Sequence, residues 1–267
     1  MSISNPVMAS DEGPEAGAPE PHPSPRLASQ YRRGMIGRIG PDLWESLSLA
    51  CTEIRDLGAR ETLSRAGEPL GHSALLLEGM MVRYIPAEGG TRGGRSLVSI
   101  QVPGDFVDLH GLPLGHLDHD VCTLGSAKIA LFPHDDLKAI MERSAEDART
   151  LWLLTMIDAS IHRHWIYRSA RLRALASIAD FICEMDTRLQ ACGEVVDDRI
   201  PLPLLHTDIA DVTGLSPVHV SRVAKELREA GLCTLRDGLA EIHDRGRLQQ
   251  LARFDPAYLY PPVPSTG

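Results

Sequence analysis

The run from Thr207 to Leu232, TDIADVTGLSPVHVSRVAKELREAGL, permits few local structures. Thr207 is a good N-cap, with Asp208 in the first turn where the helix dipole favours an acid. Ile209 and Val212 lie three apart and point to one side. Gly214 stops that segment because glycine takes the left-handed turn conformation without strain. Ser216 then caps a second segment, and Pro217 occupies its first position, where a missing N–H costs nothing. At about 100° per residue, Val220, Val223, Ala224 and Leu227 share one face. Val218, Ser221, Arg222, Lys225 and Glu229 share the other, and Gly231 closes the segment. The pattern is that of two helices and a tight turn. LCTL and LAEI follow it on either side of RDG, and Asp-Gly is a strong hairpin signal. A hairpin in that place makes a winged helix with Arg236 at the wing tip.

The outward face has the chemistry of a major-groove reader. Arg222 suits a guanine edge or a phosphate, Lys225 a phosphate, Ser221 either, and Val218 a thymine methyl. With Ser216, His219 and Arg236, these are the expected DNA-binding residues. Charge narrows the mode of binding. The chain of 267 residues has a net charge of -9, which argues against a histone-like coat. Residues 200–254 hold seven Lys/Arg and seven Asp/Glu, so few phosphate contacts are expected there. Arg163, Arg168, Arg171 and Arg173 form a second basic run, with no acid between 161 and 175. It reads as a solvated helix face.

Upstream, residues 1–28 are rich in proline and short of apolar area, as a disordered leader would be. A short helix is expected after Pro41, with Leu43, Leu47 and Ala50 on one face. From about 54 to 133, short apolar runs (ALLLEG, MMVRYI, RSLVSIQV, AKIALF) are cut by glycine. Val98, Ile100 and Val102 alternate with Ser99 and Gln101, the period of a half-buried strand. The PAEGGTRGG segment reads as a loop, and PGD at 103–105 as a turn. Strands at this spacing suggest a β-barrel or jelly roll. From Ser144, Leu154, Ile157, Ile161 and Trp165 form one stripe along a long helix, expected to be a dimer seam, with packing inside the chain as the alternative. Leu172, Leu175, Ala179 and Ile182 mark a second helix.

The expected class is therefore α+β: a leader (1–28), a sensor β-barrel or jelly roll (29–143), a dimerisation helix (144–168), a winged helix–turn–helix domain (169–255) and a tail (256–267). Five cysteines without C-x-x-C spacing fit a reduced cytoplasmic setting and no disulfide framework. No run of 18 apolar residues occurs, so no membrane partner is expected. Neither a Gly-rich phosphate loop nor a Gly-x-Ser-x-Gly elbow is present, so the chain is not expected to be an enzyme. The alternative is a cupin-like metal-binding or enzymatic barrel with a helical oligomerisation arm.

A barrel, a long helix and a winged helix–turn–helix in this order resemble the Crp/Fnr family of bacterial transcription regulators, over residues 40 to 245. PGDFVDLHGL is similar to that family's Gly-Asp-Phe turn. IADVTGLSPVHVSRVAKELREAGL is similar to its DNA-binding signature, including Val220, Arg222, Leu227 and Gly231-Leu232. The resemblance implies a cyclic-nucleotide-binding-like sensor, a homodimer on a two-fold symmetric operator, and contact with RNA polymerase. It also exposes departures. Leu109 stands where cyclic-AMP-binding members carry Glu, and their Arg-Ser pair falls near Leu117 and Asp118. Asp118 and Asp120 would repel a phosphate, so cyclic AMP is not expected. Cys51 stands alone where iron–sulfur members need a cluster, and no cofactor is expected. Pro217 and Val218 replace the family's frequent Arg-Glu, so no operator sequence carries over. The remaining constellation, DLHGLPLGHLDHD, gathers His110, His116 and His119 with Asp108, Asp118 and Asp120. These histidines are candidate metal ligands or pH sensors, against a plain polar loop between strands.

Overall fold

The computed structural model describes residues 26–86 and 95–260. Most of the expected leader, nearly all of the Gly-rich loop and the last seven residues of the tail lie outside them. In chain order the elements are α1 (Pro41–Ala50), β1 (Glu53–Leu57), β2 (Thr62–Ser64), β3 (His72–Glu78), β4 (Met81–Pro86), β5 (Arg95–Gln101), α2 (Gly111–Leu114), β6 (Asp120–Thr123), β7 (Ala127–Pro133), α3 (His134–Arg143), α4 (Ala145–Arg171), α5 (Ala174–Cys192), β8 (Arg199–Pro201), α6 (His206–Thr213), α7 (Pro217–Glu229), β9 (Cys233–Arg236), β10 (Leu239–Ile242) and α8 (Arg245–Ala252).

The sensor strands make two antiparallel sheets, ordered β1-β7-β3 and β2-β6-β4-β5. Leu57, Ala74, Leu76, Met81, Val121 and Ile129 from both sheets fill the space between them. The two sheets face each other as in the expected jelly roll. The simple alternation expected in β5 does not hold. A bulge shifts the register so that Tyr84 pairs with Leu97 while Arg83 pairs with Ser99. Val98, the extra residue, is only half-buried. Leu97, Ile100 and Val102 join the core shared with α4 and α5. Ser99 and Gln101 are buried rather than solvated, and Gln101 Nε2 donates to Ser99 Oγ at 2.7 Å.

Helix α4 is capped by Ser144, whose side chain accepts from the Asp147 N–H. It runs three residues past the expected end at 168. Leu172 then leaves helical geometry and separates α4 from α5, so it does not belong to the second helix as its spacing suggested. The stripe on α4 faces inward. Ile157, Ile161 and Trp165 are buried in the chain's own core and Leu154 is half-buried. Ile157, Ile161 and Trp165 therefore pack within the chain, with residues of α5, β4 and β5, rather than along an open seam. A different set is exposed on α4: Trp152, Met156, Ile166 and Tyr167.

The break between α4 and α5 is built around charge. Arg168 on α4 is wholly buried. Its Nε donates to Asp180 Oδ2 at 2.6 Å and its Nη2 to Glu184, both on α5. Glu184 also accepts from Trp165 Nε1 and from the Tyr258 hydroxyl. Tyr258 stacks on His164 at 3.8 Å, Leu259 is fully buried, and Arg38 lies over the Tyr260 ring at 5.3 Å. Residues 256–260, expected as a tail, therefore return to the α4–α5 junction. At the other end of α5, Arg188 Nη2 donates to Asp105 Oδ2 at 2.7 Å and ties the helix to the sensor turn. Gly104 in that turn has φ +92°, and a Cβ there would meet the Arg33 carbonyl at 2.0 Å, so only glycine fits.

Removing one member of a buried ion cluster leaves the others uncompensated. The Arg168→Met variant is expected to lose about 3–5 kcal/mol of stability, read as a lower midpoint in guanidinium unfolding.

Candidate nucleic-acid interface

The helix–turn–helix expected to read DNA, the reading unit, is α6, the turn and α7. Gly214 ends α6 at φ +68°. The first helix begins two residues earlier than expected: Leu205, not Thr207, is its N-cap. Asp208 supplies the capping interaction, accepting from the Leu205 N–H at 2.8 Å. Ser216 caps α7 by accepting from the His219 N–H at 3.3 Å, and Pro217 opens it. Val220, Val223 and Leu227 are buried, whereas Val218, His219, Ser221, Arg222 and Lys225 are exposed. Ser216 is half-buried, its hydroxyl held by the cap. Val218 is 79% exposed, an apolar side chain left in water on a face of otherwise polar residues.

The hairpin follows directly. β9 pairs with β10, and β10 also with β8, giving a three-stranded wing sheet. Asp237 and Gly238 both have positive φ, as a two-residue Asp-Gly turn requires. Arg236 is exposed at the tip and pairs with Asp237 at 3.0 Å, and Lys225 pairs with Glu229 at 3.6 Å. Both pairs are solvent-exposed and of little energetic weight, so phosphates can displace them. Val218, Ser221, Arg222 and Lys225 line one groove with His206, Arg228 and Thr234. Sequence reasoning missed His206 and Arg228. The spacing of Arg228 from Lys225 was a usable signal, while the place of His206 depends on how α6 crosses α7. The unit also touches the sensor, since the Leu97 N–H on β5 donates to Asp211 Oδ2 at 3.2 Å.

The second candidate region is where the sensor meets α4. Arg83 on β4 is buried; its Nε donates to the Val107 carbonyl and its Nη1 to Asp158 Oδ2 on α4 at 2.7 Å. Burial works against the Asp158 charge, yet the Arg83 guanidinium holds its carboxyl below the usual range. Leu109, His110, Phe106 and Thr155 surround this pair, and the cavity beside it is about 30 Å³, room for about one water. Leu109 is itself buried in the core formed with α1 and α3.

The structure disperses the His/Asp-rich constellation. Asp108 accepts from the Ala74 N–H at 2.7 Å, and its burial pushes its carboxyl up to about 7. Asp120 accepts from the Ala66 N–H, and Asp118 lies 2.7 Å from His119 Nδ1. His110 and His119 have ring centroids 5.2 Å apart, whereas His116 is exposed and forms a β-bridge with Pro69. Among the described residues no three His, Cys, Asp or Glu side chains converge as metal ligands. The metal reading of His110, His116 and His119 therefore finds no support in their geometry.

His110 is the titratable group of this loop with a defined consequence. Burial and the Arg83 guanidinium pull its imidazole down to about 4, with Asp158 and Asp118 opposing and His119 adding to the effect. A folded value below 6.5 means that the unfolded chain takes up this proton first as pH falls. The stability linked to His110 is thus present above pH 6.5 and lost as pH falls towards 4. Asp108 has the opposite sign over much of that window, so a difference between two proteins isolates the histidine. His110→Gln is expected to show a shallower acid loss than the unsubstituted protein between pH 6.5 and 4, in urea midpoints measured against pH.

The comparisons agree with this geometry. Residues 176–251 match the Crp-like helix-turn-helix domain. Over 178 residues the chain is 28% identical to the nitrogen fixation regulation protein FixK of Bradyrhizobium diazoefficiens, covering 66% of this chain and 72% of FixK. The structure of FixK2 from Bradyrhizobium japonicum superposes with a TM-score of 0.66 at 23% identity, over 74% of this chain and 96% of that one. A CRP-family transcriptional regulator of Thermus thermophilus gives 0.60 at 18% identity, over 74% and 96%. At these identities the two structures establish a shared fold. Among the described residues, no helix is long and apolar enough to cross a membrane. Residues 176–251 thus carry a Crp-like helix–turn–helix domain, and the chain shares its sequence pattern with FixK and its fold with these regulators.

Proposed function

We propose that the protein reads a two-fold symmetric DNA operator as a homodimer and does so without cyclic AMP. The observation that carries DNA reading is the outer face of α7, where Val218, Ser221, Arg222 and Lys225 stand exposed beside a wing. One face of the helix is anchored by Val220, Val223 and Leu227, so the other is free to enter a major groove. Arg222 is assigned to a base edge and Val218 to a thymine methyl. Lys225 and Arg236 are assigned to phosphates, with Ser216, Ser221 and His219 at the groove-entering end of the helix.

The dimer reading rests on the second stripe of α4. Trp152, Met156, Ala159, Arg163, Ile166 and Ala170 follow spacings of 4, 3, 4, 3 and 4, the pattern of a paired helix seam. Trp152 is 62% and Ile166 69% exposed in the single chain, which an apolar residue tolerates better under a partner. Two copies joined there would present two recognition helices to successive major grooves, about 34 Å apart. Independence from cyclic AMP is supported by the Arg83–Asp158 pair, which occupies the junction of sensor and α4 and leaves about 30 Å³ beside it. Contact with RNA polymerase is proposed on the family resemblance alone.

The test is selection from a random DNA pool by the purified, ligand-free protein. A two-fold motif with half-sites one helical turn apart is expected; recovery of unbiased sequence would refute DNA reading without a ligand. On the recovered operator, Arg222→Ala should cost about 1–3 kcal/mol of discrimination at one base pair. Trp152→Glu with Ile166→Glu should give a monomer in analytical ultracentrifugation and weaken operator binding.

A further inference from the structure

The reading unit is poor in free cations. Of the seven Lys/Arg in residues 200–254, Arg245 is held by two carboxylates, and Lys225, Arg236 and Arg247 each face an acid that a phosphate must displace. Lys225 pairs with Glu229, Arg236 with Asp237, Arg247 with Asp244, and Arg245 with Asp186 and Asp198. With equal numbers of acids and bases, the unit would gain affinity from phosphate contacts outside it.

The basic run at the end of α4 lies in the right place. Its members behave differently from one another. Arg168 turns inward to Asp180 and Glu184 and is wholly buried. Arg171, the last residue of α4, and Arg173, which precedes α5, are exposed and make no ion pair among the described residues. No acid lies between 161 and 175 to neutralise them. The hinge that carries them brackets the turn of the reading unit from both sides. A Cβ on Gly214 would meet the Ser169 Cβ at 3.3 Å, and the Ser177 hydroxyl donates to the Thr213 carbonyl at 3.5 Å. Arg171 and Arg173 lie in the chain between Ser169 and Ser177, the two residues that touch 213–214, immediately before Ser216 caps α7.

We infer that Arg171 and Arg173 form a second DNA contact, binding backbone phosphates between the two half-sites. The inference rests on the proposed DNA reading and extends it to a part of the chain outside the helix–turn–helix domain matched at 176–251. In a dimer seamed along α4, both hinges lie at the end of the helix pair nearest the reading units, so both face the central stretch of the operator. The contact is to phosphate and carries no sequence information; it sets affinity and salt dependence, while α7 sets preference.

The test uses the full chain and the operator duplex recovered by selection, with binding measured against salt concentration. Each phosphate neutralised contributes about 0.9 to the slope of log affinity on log salt. Four arginines per dimer predict that Arg171→Gln with Arg173→Gln lowers the magnitude of that slope by about 2 to 4. Affinity at low salt should fall at least about tenfold, with an unchanged selected motif. Arg171→Lys with Arg173→Lys should restore the slope, which repair of a purely structural hinge would not explain. Methylphosphonates at the central phosphates should reduce the slope of the unsubstituted protein and leave that of the glutamine variant unaltered. An unchanged slope in the glutamine variant, or a changed motif at full slope, would overturn the contact. Failure of the unsubstituted protein to bind any DNA would instead refute the DNA reading itself, and this contact with it.

Discussion

Arg168 has no access to solvent, so its charge must be met from within the chain, and the partners that meet it come from every part of the junction. Asp180 and Glu184 approach from α5, the Trp165 indole from α4 itself shares Glu184, and Tyr258 reaches in from the returning C-terminal segment. Arg188 extends the cluster from Glu184 to Asp105 in the sensor turn. Buried ions lose several kcal/mol of hydration each, and only near-complete pairing offsets that. The cluster therefore favours one relative placement of α4 and α5. Because α5 packs on α6, α7 and α8, that placement also orients the recognition helix.

The sensor is connected to this junction twice, through Arg188–Asp105 on α5 and through Arg83–Asp158 on α4. Both pairs cross from a sensor element to a helix, and both are buried on the arginine side. A signal changes DNA affinity only if it favours one arrangement of these contacts over another. At the α4 junction the protein already supplies a cation and an anion of its own, in the position where a small ligand would have to link sensor and helix. A ligand acting there would have to compete with a preformed ion pair.

What could be read from the sequence was what local chemistry decides. The turn at Gly214, the Ser216-Pro217 start of α7 and the Asp237-Gly238 hairpin depend on the backbone freedom of single residues, and these were visible. The two faces of α4 were not. Ile157, Ile161 and Trp165 on one side and Trp152, Met156 and Ile166 on the other are both apolar at helical spacing, and only the packing of α5 against the first set distinguishes them. The bulge at Val98 and the inward turn of Arg168 belong to the same class. Each depends on a partner remote in the chain, the first on the register with β4 and the second on carboxylates 12 and 16 residues away on another helix. The capping of α6 shows the limit at short range, since Thr207 and Leu205 compete and the side chain of Asp208 decides for Leu205.

The distribution of charge then has a consistent physical meaning. A net charge of -9 repels the uniform polyanion of bulk DNA at long range, and a reading unit with equal numbers of acids and bases adds little attraction of its own. On the proposed reading, attraction rises where a groove meets Arg222 and where phosphates meet Lys225, Arg236 and the hinge arginines. Because the exposed ion pairs Lys225–Glu229 and Arg236–Asp237 open only for a closer anion, nonspecific contact gains less than a fitted site does. On the proposed DNA reading, an acidic protein with a few well-placed cations would give up affinity for DNA in general in return for a larger ratio between the right site and all others, and that ratio is what site selection needs in a genome full of competing sequence.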